Sequence, residues 1–175
     1  LERLAGDPHD NVRNEALSGL IRLRGREADA LCLAALERDD FQLILTAVGG
    51  LKGSPSTAKT VPALLSTLAR LTAQRKETSR DPRLAILERI GDLGSEAQAE
   101  ALAAYAGDFD PQVASAAAGL VARWTGKRPD INPRPMPAVF PRLAEIENLR
   151  PAKVRVTMAD GGTFEMALLV DEAPT

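Results

Sequence analysis

Apolar positions recur every three to four residues over most of this chain and every second residue only near its end. That predicts helices followed by a short β-segment. In DPHDNVRNEALSGLIRLRG, from Asp7 to Gly25, the residues Val12, Ala16, Leu17, Leu20 and Leu23 fall on one stripe, while Arg13, Glu15 and Arg22 point elsewhere. The spacing predicts a helix over 11–24, with Asp10 as its N-cap and Gly25 just past its end. A second helix over 27–38 carries Leu31, Leu33, Ala34 and Leu36, and so short a connection predicts that the two are antiparallel neighbours.

The stripe returns when the glycine-terminated helices are overlaid. Leu17, Leu20 and Leu23 match Leu45, Val48 and Leu51, then Leu87, Ile90 and Leu93, then Ala118, Val121 and Trp124, and the stop returns as Gly53, Gly94 and Gly126. Asp-Pro recurs at Asp7-Pro8, Asp81-Pro82 and Asp110-Pro111, where proline presets the backbone for a helix start and aspartate can cap free N–H groups. Partner helices are expected over 56–74, with Val61, Leu64, Leu65, Leu68 and Leu71, and over 95–106, with Leu102 and Tyr105. One such pair cannot bury its stripe alone, and stacking the pairs gives a continuous core. The expected fold is therefore mainly α, an α-solenoid of three antiparallel helix pairs and one further helix.

DPHDNVRNEAL resembles the start of a HEAT-like repeat, DPQVASAA does so in part, and DDFQLILTAVGGL lacks the proline. The resemblance covers residues 1–126 and implies an architecture rather than an activity. After Gly126, KRPDINPRPMPAVFP places five prolines between Pro129 and Pro141, so residues 127–152 read as a proline-rich linker or strap with a short helix over 142–148.

Residues 153–175 read as a β-hairpin. VRVTMA puts Val154, Val156 and Met158 on one face, and TFEMALLV puts Phe164, Met166, Leu168 and Val170 on one face. A three-residue loop over 160–162, with glycine in the left-handed position, aligns Met158 with Phe164, Val156 with Met166 and Val154 with Leu168. Because a lone hairpin is marginal in water, its apolar face needs a cover, either the helices or a second copy of the chain.

The segment VRVTMADGGTFEMALLVDEAPT resembles the start of bacterial cyclophilin-type peptidyl-prolyl isomerases: a strand, a glycine turn, an apolar second strand and an acidic-Ala-Pro-Thr segment. The resemblance implies a parent enzyme that joins a HEAT-like region to a cyclophilin barrel. In that family an arginine in an apolar pocket polarises the prolyl nitrogen, easing an X-Pro rotation that otherwise takes tens to hundreds of seconds. The family's catalytic residues follow the point where this sequence stops, and Arg155 is no substitute, so no isomerase activity is expected of this chain. An unrelated hairpin capping the helices is the alternative.

Composition narrows the chemistry. Aromatics are 3% of the residues, and Ala and Leu do most of the filling, which favours closely packed helices. A net charge of -2 is unlike that of a protein built around a polyphosphate backbone. No run of about 18 apolar residues predicts a membrane span. Leu1 opens no signal peptide, and the chain enters helical pattern without an initiator methionine, which suggests a fragment.

Cys32, the one cysteine, lies in LCLAAL and reads as a buried small hydrophobe. Asp7, the lone His9 and Asp10 have weak metal-ligand character, but helix capping is the simpler role. Gly49-Gly50 lies within a helix and reads as a close-packing site rather than a phosphate loop. Arg22, Arg24, Arg26, Arg123, Lys127 and Arg128 cluster at helix ends, where they complement helix dipoles. A HEAT-like DNA-binding protein would need a continuous basic stripe plus aromatics facing a groove, and Tyr105 and Trp124 sit where core anchors are expected.

The sequence therefore assigns no catalytic, cofactor-binding or metal-ligating residue and no cofactor. Its expected partners are protein or peptide clients on the solenoid face, with self-association through the C-terminal hairpin as a further contact. Neither membrane nor nucleic acid is expected as a partner. The resemblance implies a bacterial cytoplasmic or periplasmic protein.

Overall fold

The helical periodicity produces α1 (Asp10–Arg24), α2 (Asp29–Leu36), α3 (Phe41–Gly50), α4 (Thr57–Ala73), α5 (Arg80–Leu93), α6 (Ala99–Ala103), α7 (Pro111–Thr125) and α8 (Leu143–Glu147). The alternating segment produces strands β1 (Lys153–Thr157) and β2 (Thr163–Ala167). The chain is thus mainly helical with a small two-stranded antiparallel hairpin. The structure, a computed structural model, describes residues 1–137, 142–150 and 152–169, and divides into Leu1–Met136 and Pro137–Thr175.

In the first unit, α1, α3, α5 and α7 start from His9, Asp40, Ser79 and Asp110 as N-caps. Asp40 accepts from the N–H groups of Gln42 and Leu43, and Asp110 from those of Gln112 and Val113, which satisfies helix-end donors that have no intrahelical partner. Asp10 is not the cap expected of it. It is the first residue of α1 and pairs with Arg13, while Asp7 Oδ1 accepts the His9 N–H at 3.0 Å. Asp81-Pro82 likewise lies inside α5 rather than before it.

Counted from these caps, the same offsets are buried in all four cases, the last of them falling just past the end of α3. They are Ala16, Leu17 and Leu20, then Ala47, Val48 and Leu51, then Ile86, Leu87 and Ile90, then Ala117, Ala118 and Val121. This register differs from the glycine overlay at α3, which ends a turn early, so that Leu17 matches Val48 and Leu20 matches Leu51. Leu23 is a second departure. It is 75% exposed, and Ser54 holds its equivalent place after α3.

Helix α1 packs on α3, α3 on α5 and α5 on α7, while α2, α4 and α6 pack most extensively on α3, α5 and α7. Pairing thus begins at α2–α3 rather than at α1–α2. The connection between α1 and α2 is taken up by a 3-10 turn, Gly25–Ala28, which itself packs on α1, with Gly25 at φ 55. Beyond Gly126, at φ 71, the chain remains with the helices through Met136.

In the second unit, β1 and β2 pair as Val154 with Met166, Arg155 with Glu165 and Val156 with Phe164. The expected faces are kept, but the register is displaced. The left-handed residue is Gly161 (φ 87) rather than Gly162, and the three-residue loop is Ala159–Gly161. Met158 N–H donates to Gly162 O at 2.7 Å, Gly161 N–H donates to Met158 O, and Asp160 Oδ1 accepts the Gly162 N–H at 2.9 Å. That side-chain bond holds Asp160 at the second turn position and so moves the loop back by one residue. Val154, Phe164 and Met166 are 39%, 48% and 45% exposed. Val170 and the DEAPT segment lie outside the described residues.

Candidate functional site

The residues singled out for chemistry are mostly engaged in structure. Arg13 gathers the loop around His9: its Nη1 donates to the carbonyls of Asp7 (2.7 Å) and Pro8 (3.0 Å), and its Nη2 pairs with Asp10. Among the described residues, no three His, Cys, Asp or Glu side chains come together as a metal-binding group.

Cys32 is fully buried, and its thiol is pushed up to about 11, first by burial and then by the Asp29 carboxylate. It faces Gly50, where an added Cβ would lie 2.8 Å from Sγ and 2.6 Å from Ile21 Cδ1. Gly50 is therefore a close-packing glycine, whereas the space beside Gly49 is open.

The helix-end arginines reach neighbouring helices. Arg26 donates to the Gly50 carbonyl and Arg123 to the Gly91 carbonyl, so each helps to satisfy the exposed end of another helix. Arg24 pairs with Glu2 at 2.6 Å, and Arg128 Nη2 donates to Ser115 Oγ at 3.3 Å. Tyr105 and Trp124 are half-buried against the core, and burial raises the Tyr105 hydroxyl pKa, assisted by Asp108. Arg155 is held across the hairpin by Glu165, with Nη2 2.6 Å from Oε1.

Two further features carry more weight. The first is a cleft of about 550 Å³ between α2 and α4, lined by Leu33, Leu36 and Ala63, with Glu37, Lys59 and Arg70 at its margin. Arg70 closes one end by donating to the carbonyls of Leu36 (2.6 Å) and Arg38 (3.0 Å) and pairing with Asp39. The small side chains of Ala34, Ala63 and Ser66 keep the cleft open.

The second is an ion pair with both side chains at 0% exposure. Arg83 Nη1 donates to both oxygens of Asp108, at 2.7 and 2.8 Å, and Arg83 Nε donates to Ser79 O at 3.2 Å. Phe109 lies 4.2 Å below the guanidinium, and Asp108 Oδ1 also accepts the Asp110 N–H at 2.8 Å. Beside it, burial opposes ionisation of Asp110. The Arg80 guanidinium and the N–H groups of Val113 and Gln112 outweigh that effect and hold the carboxyl below its ordinary value.

Sequence reasoning passed over Arg83 and Asp108. The available signal was the offset, because Arg83 stands four residues after its cap, where Ile44 and Ala114 are fully buried in α3 and α7. Comparison of the chain with protein-family models, curated proteins and solved structures returned no match.

Proposed function

We propose that the helical unit is an α-solenoid of HEAT-like helix pairs that acts as a protein-binding scaffold, with the α2–α4 cleft as the place where a protein or peptide client rests. The observation that carries this reading is the recurrence of the same buried offsets in α1, α3, α5 and α7, each packed on the next, beside an apolar cleft of about 550 Å³. Apart from Leu23, the striped positions of α1 have a packing role, and most of the chemistry-bearing residues are tied up in caps and clamps. What is left for function is surface shape.

The test is affinity capture from cells with the full chain and with Lys59→Glu combined with Glu37→Lys, two charge reversals at the cleft margin. Loss of a reproducible partner set, with an unchanged circular dichroism spectrum, supports the reading. A partner set that survives both reversals refutes it for this cleft.

The hairpin sequence supports a fuller version in which the parent is a cyclophilin-type peptidyl-prolyl isomerase and the scaffold presents clients to its barrel. On that version this chain leaves the rate of X-Pro isomerisation in a proline-containing test peptide at its uncatalysed value. A stand-alone interaction scaffold is the alternative. DNA binding has less support, since Tyr105 and Trp124 are half-buried in the core and the net charge is -2.

A further inference from the structure

The proline-rich segment after α7 has a sidedness that its sequence explains. From Asn132 to Pro137 every second residue is proline, so only Asn132, Arg134 and Met136 keep a backbone N–H. In an extended chain alternate residues point their N–H groups to the same side, so this stretch donates from one edge only. Two of these donors are used. Asn132 N–H donates to Ala106 O at 3.1 Å, and Arg134 N–H donates to Asp108 O at 3.2 Å. The acceptors are also two residues apart, with Gly107 between them, where an added Cβ would meet Asn132 O at 3.6 Å.

The acceptor ledge is built to stay in place. It lies at the end of the 3-10 turn Ala104–Gly107, where carbonyls lack intrahelical partners. Asp108 is fixed from within by Arg83 and by the Asp110 N–H, and Phe109 is buried against Arg83. The strap itself is lightly attached. Asp130, Ile131, Asn132, Arg134 and Pro135 are exposed. A preorganised edge holding an extended segment by main-chain bonds is the arrangement by which extended peptides are recognised and exchanged.

We propose that Ala106–Asp108 is a docking ledge for an extended segment in which prolines alternate with N–H-bearing residues. The chain's own strap is the occupant in cis, and a peptide of the same class supplied in trans competes with it. This inference does not depend on the scaffold reading of the α2–α4 cleft.

The probe is the synthetic peptide DINPRPMP, the strap's own sequence, titrated into the isotope-labelled full chain and followed by amide chemical shifts. In the double variant N132P/R134P both donors are gone. The expected result is saturable binding that moves the amides of Gly107 and Asp108 back toward their wild-type positions. The wild-type chain, with its strap in place, should need roughly tenfold more peptide, the effect of two hydrogen bonds. The same peptide N-methylated at its asparagine and arginine should not bind. Shifts confined to other surfaces, or equal affinity for wild type and variant, would overturn the proposal. Should the variant not fold, hydrogen exchange on the wild type decides instead: Asn132 and Arg134 amides must exchange more slowly than Ile131, and excess peptide must remove that protection. Equal exchange rates, or protection that excess peptide leaves intact, overturns it.

Discussion

Arg83 is the residue whose role differs most from its appearance. An arginine four places into a helix that begins RDPR reads as solvated, yet its side chain has 0% exposure and its charge is balanced by the Asp108 carboxylate. Removing one partner of such a pair leaves a buried charge, and Asp108→Ala is expected to cost about 3–5 kcal/mol in urea unfolding. Replacing both, as Arg83→Met with Asp108→Leu, should cost distinctly less. A single-variant cost under about 1 kcal/mol would show that water reaches the pair. The adjacent glycines of α3 give a second contrast at this scale. Gly50→Ala overpacks against Ile21 and Cys32 and should destabilise by roughly 1–3 kcal/mol. Gly49→Ala meets open space and should stabilise by about 0.5–1 kcal/mol through helix propensity. Thermal melts of the two variants should therefore move in opposite directions.

At the scale of elements, the caps decide where helices begin, and three similar dipeptides behave differently. Asp110-Pro111 is a true cap with proline at the first helical position, Asp7-Pro8 orders the loop before His9, and Asp81-Pro82 lies within α5. Asp110→Ala and Asp40→Ala should each lower stability by about 1 kcal/mol, whereas Asp81→Ala should change it by less than about 0.5 kcal/mol. Equal losses at all three positions would contradict the cap assignment. The hairpin gives a parallel lesson. Alternation in VRVTMA and TFEMALLV correctly separates the apolar face from the face carrying Arg155 and Glu165. The register needed one more fact, that Gly161 rather than Gly162 takes φ 87 while Asp160 bonds to Gly162. Two adjacent glycines supply either solution in sequence, so the register was not legible there.

At the scale of the molecule, the helical unit extends eleven residues past the last long helix, from Thr125 to Met136, because the strap's donors satisfy carbonyls on the turn before α7. The hairpin leaves Phe164 and Met166 nearly half exposed, and two strands with one apolar face make a poor independent structure. Self-association through that face is the expected consequence. Light scattering should give a mass that rises with protein concentration, and Phe164→Lys with Met166→Glu should hold it at 18.7 kDa. A wild-type mass that stays at 18.7 kDa at all concentrations would count against it.

The sequence by itself determined what depends on local periodicity and local chemistry: the helices and their approximate limits, the recurrence of the apolar stripe, the glycine stops after α1, α5 and α7 though not after α3, and the two faces of the hairpin. It determined these because side chains three or four apart on a helix, or two apart on a strand, share a face wherever the element lies. Only the tertiary structure decided that Arg83 is buried, that Leu23 is bare, that Gly50 but not Gly49 is required, that α2 turns to α3 rather than back to α1, and that the strap binds a ledge through two of its remaining N–H groups. Each of these depends on what stands opposite a residue from a distant part of the chain, and no periodicity along the sequence encodes that.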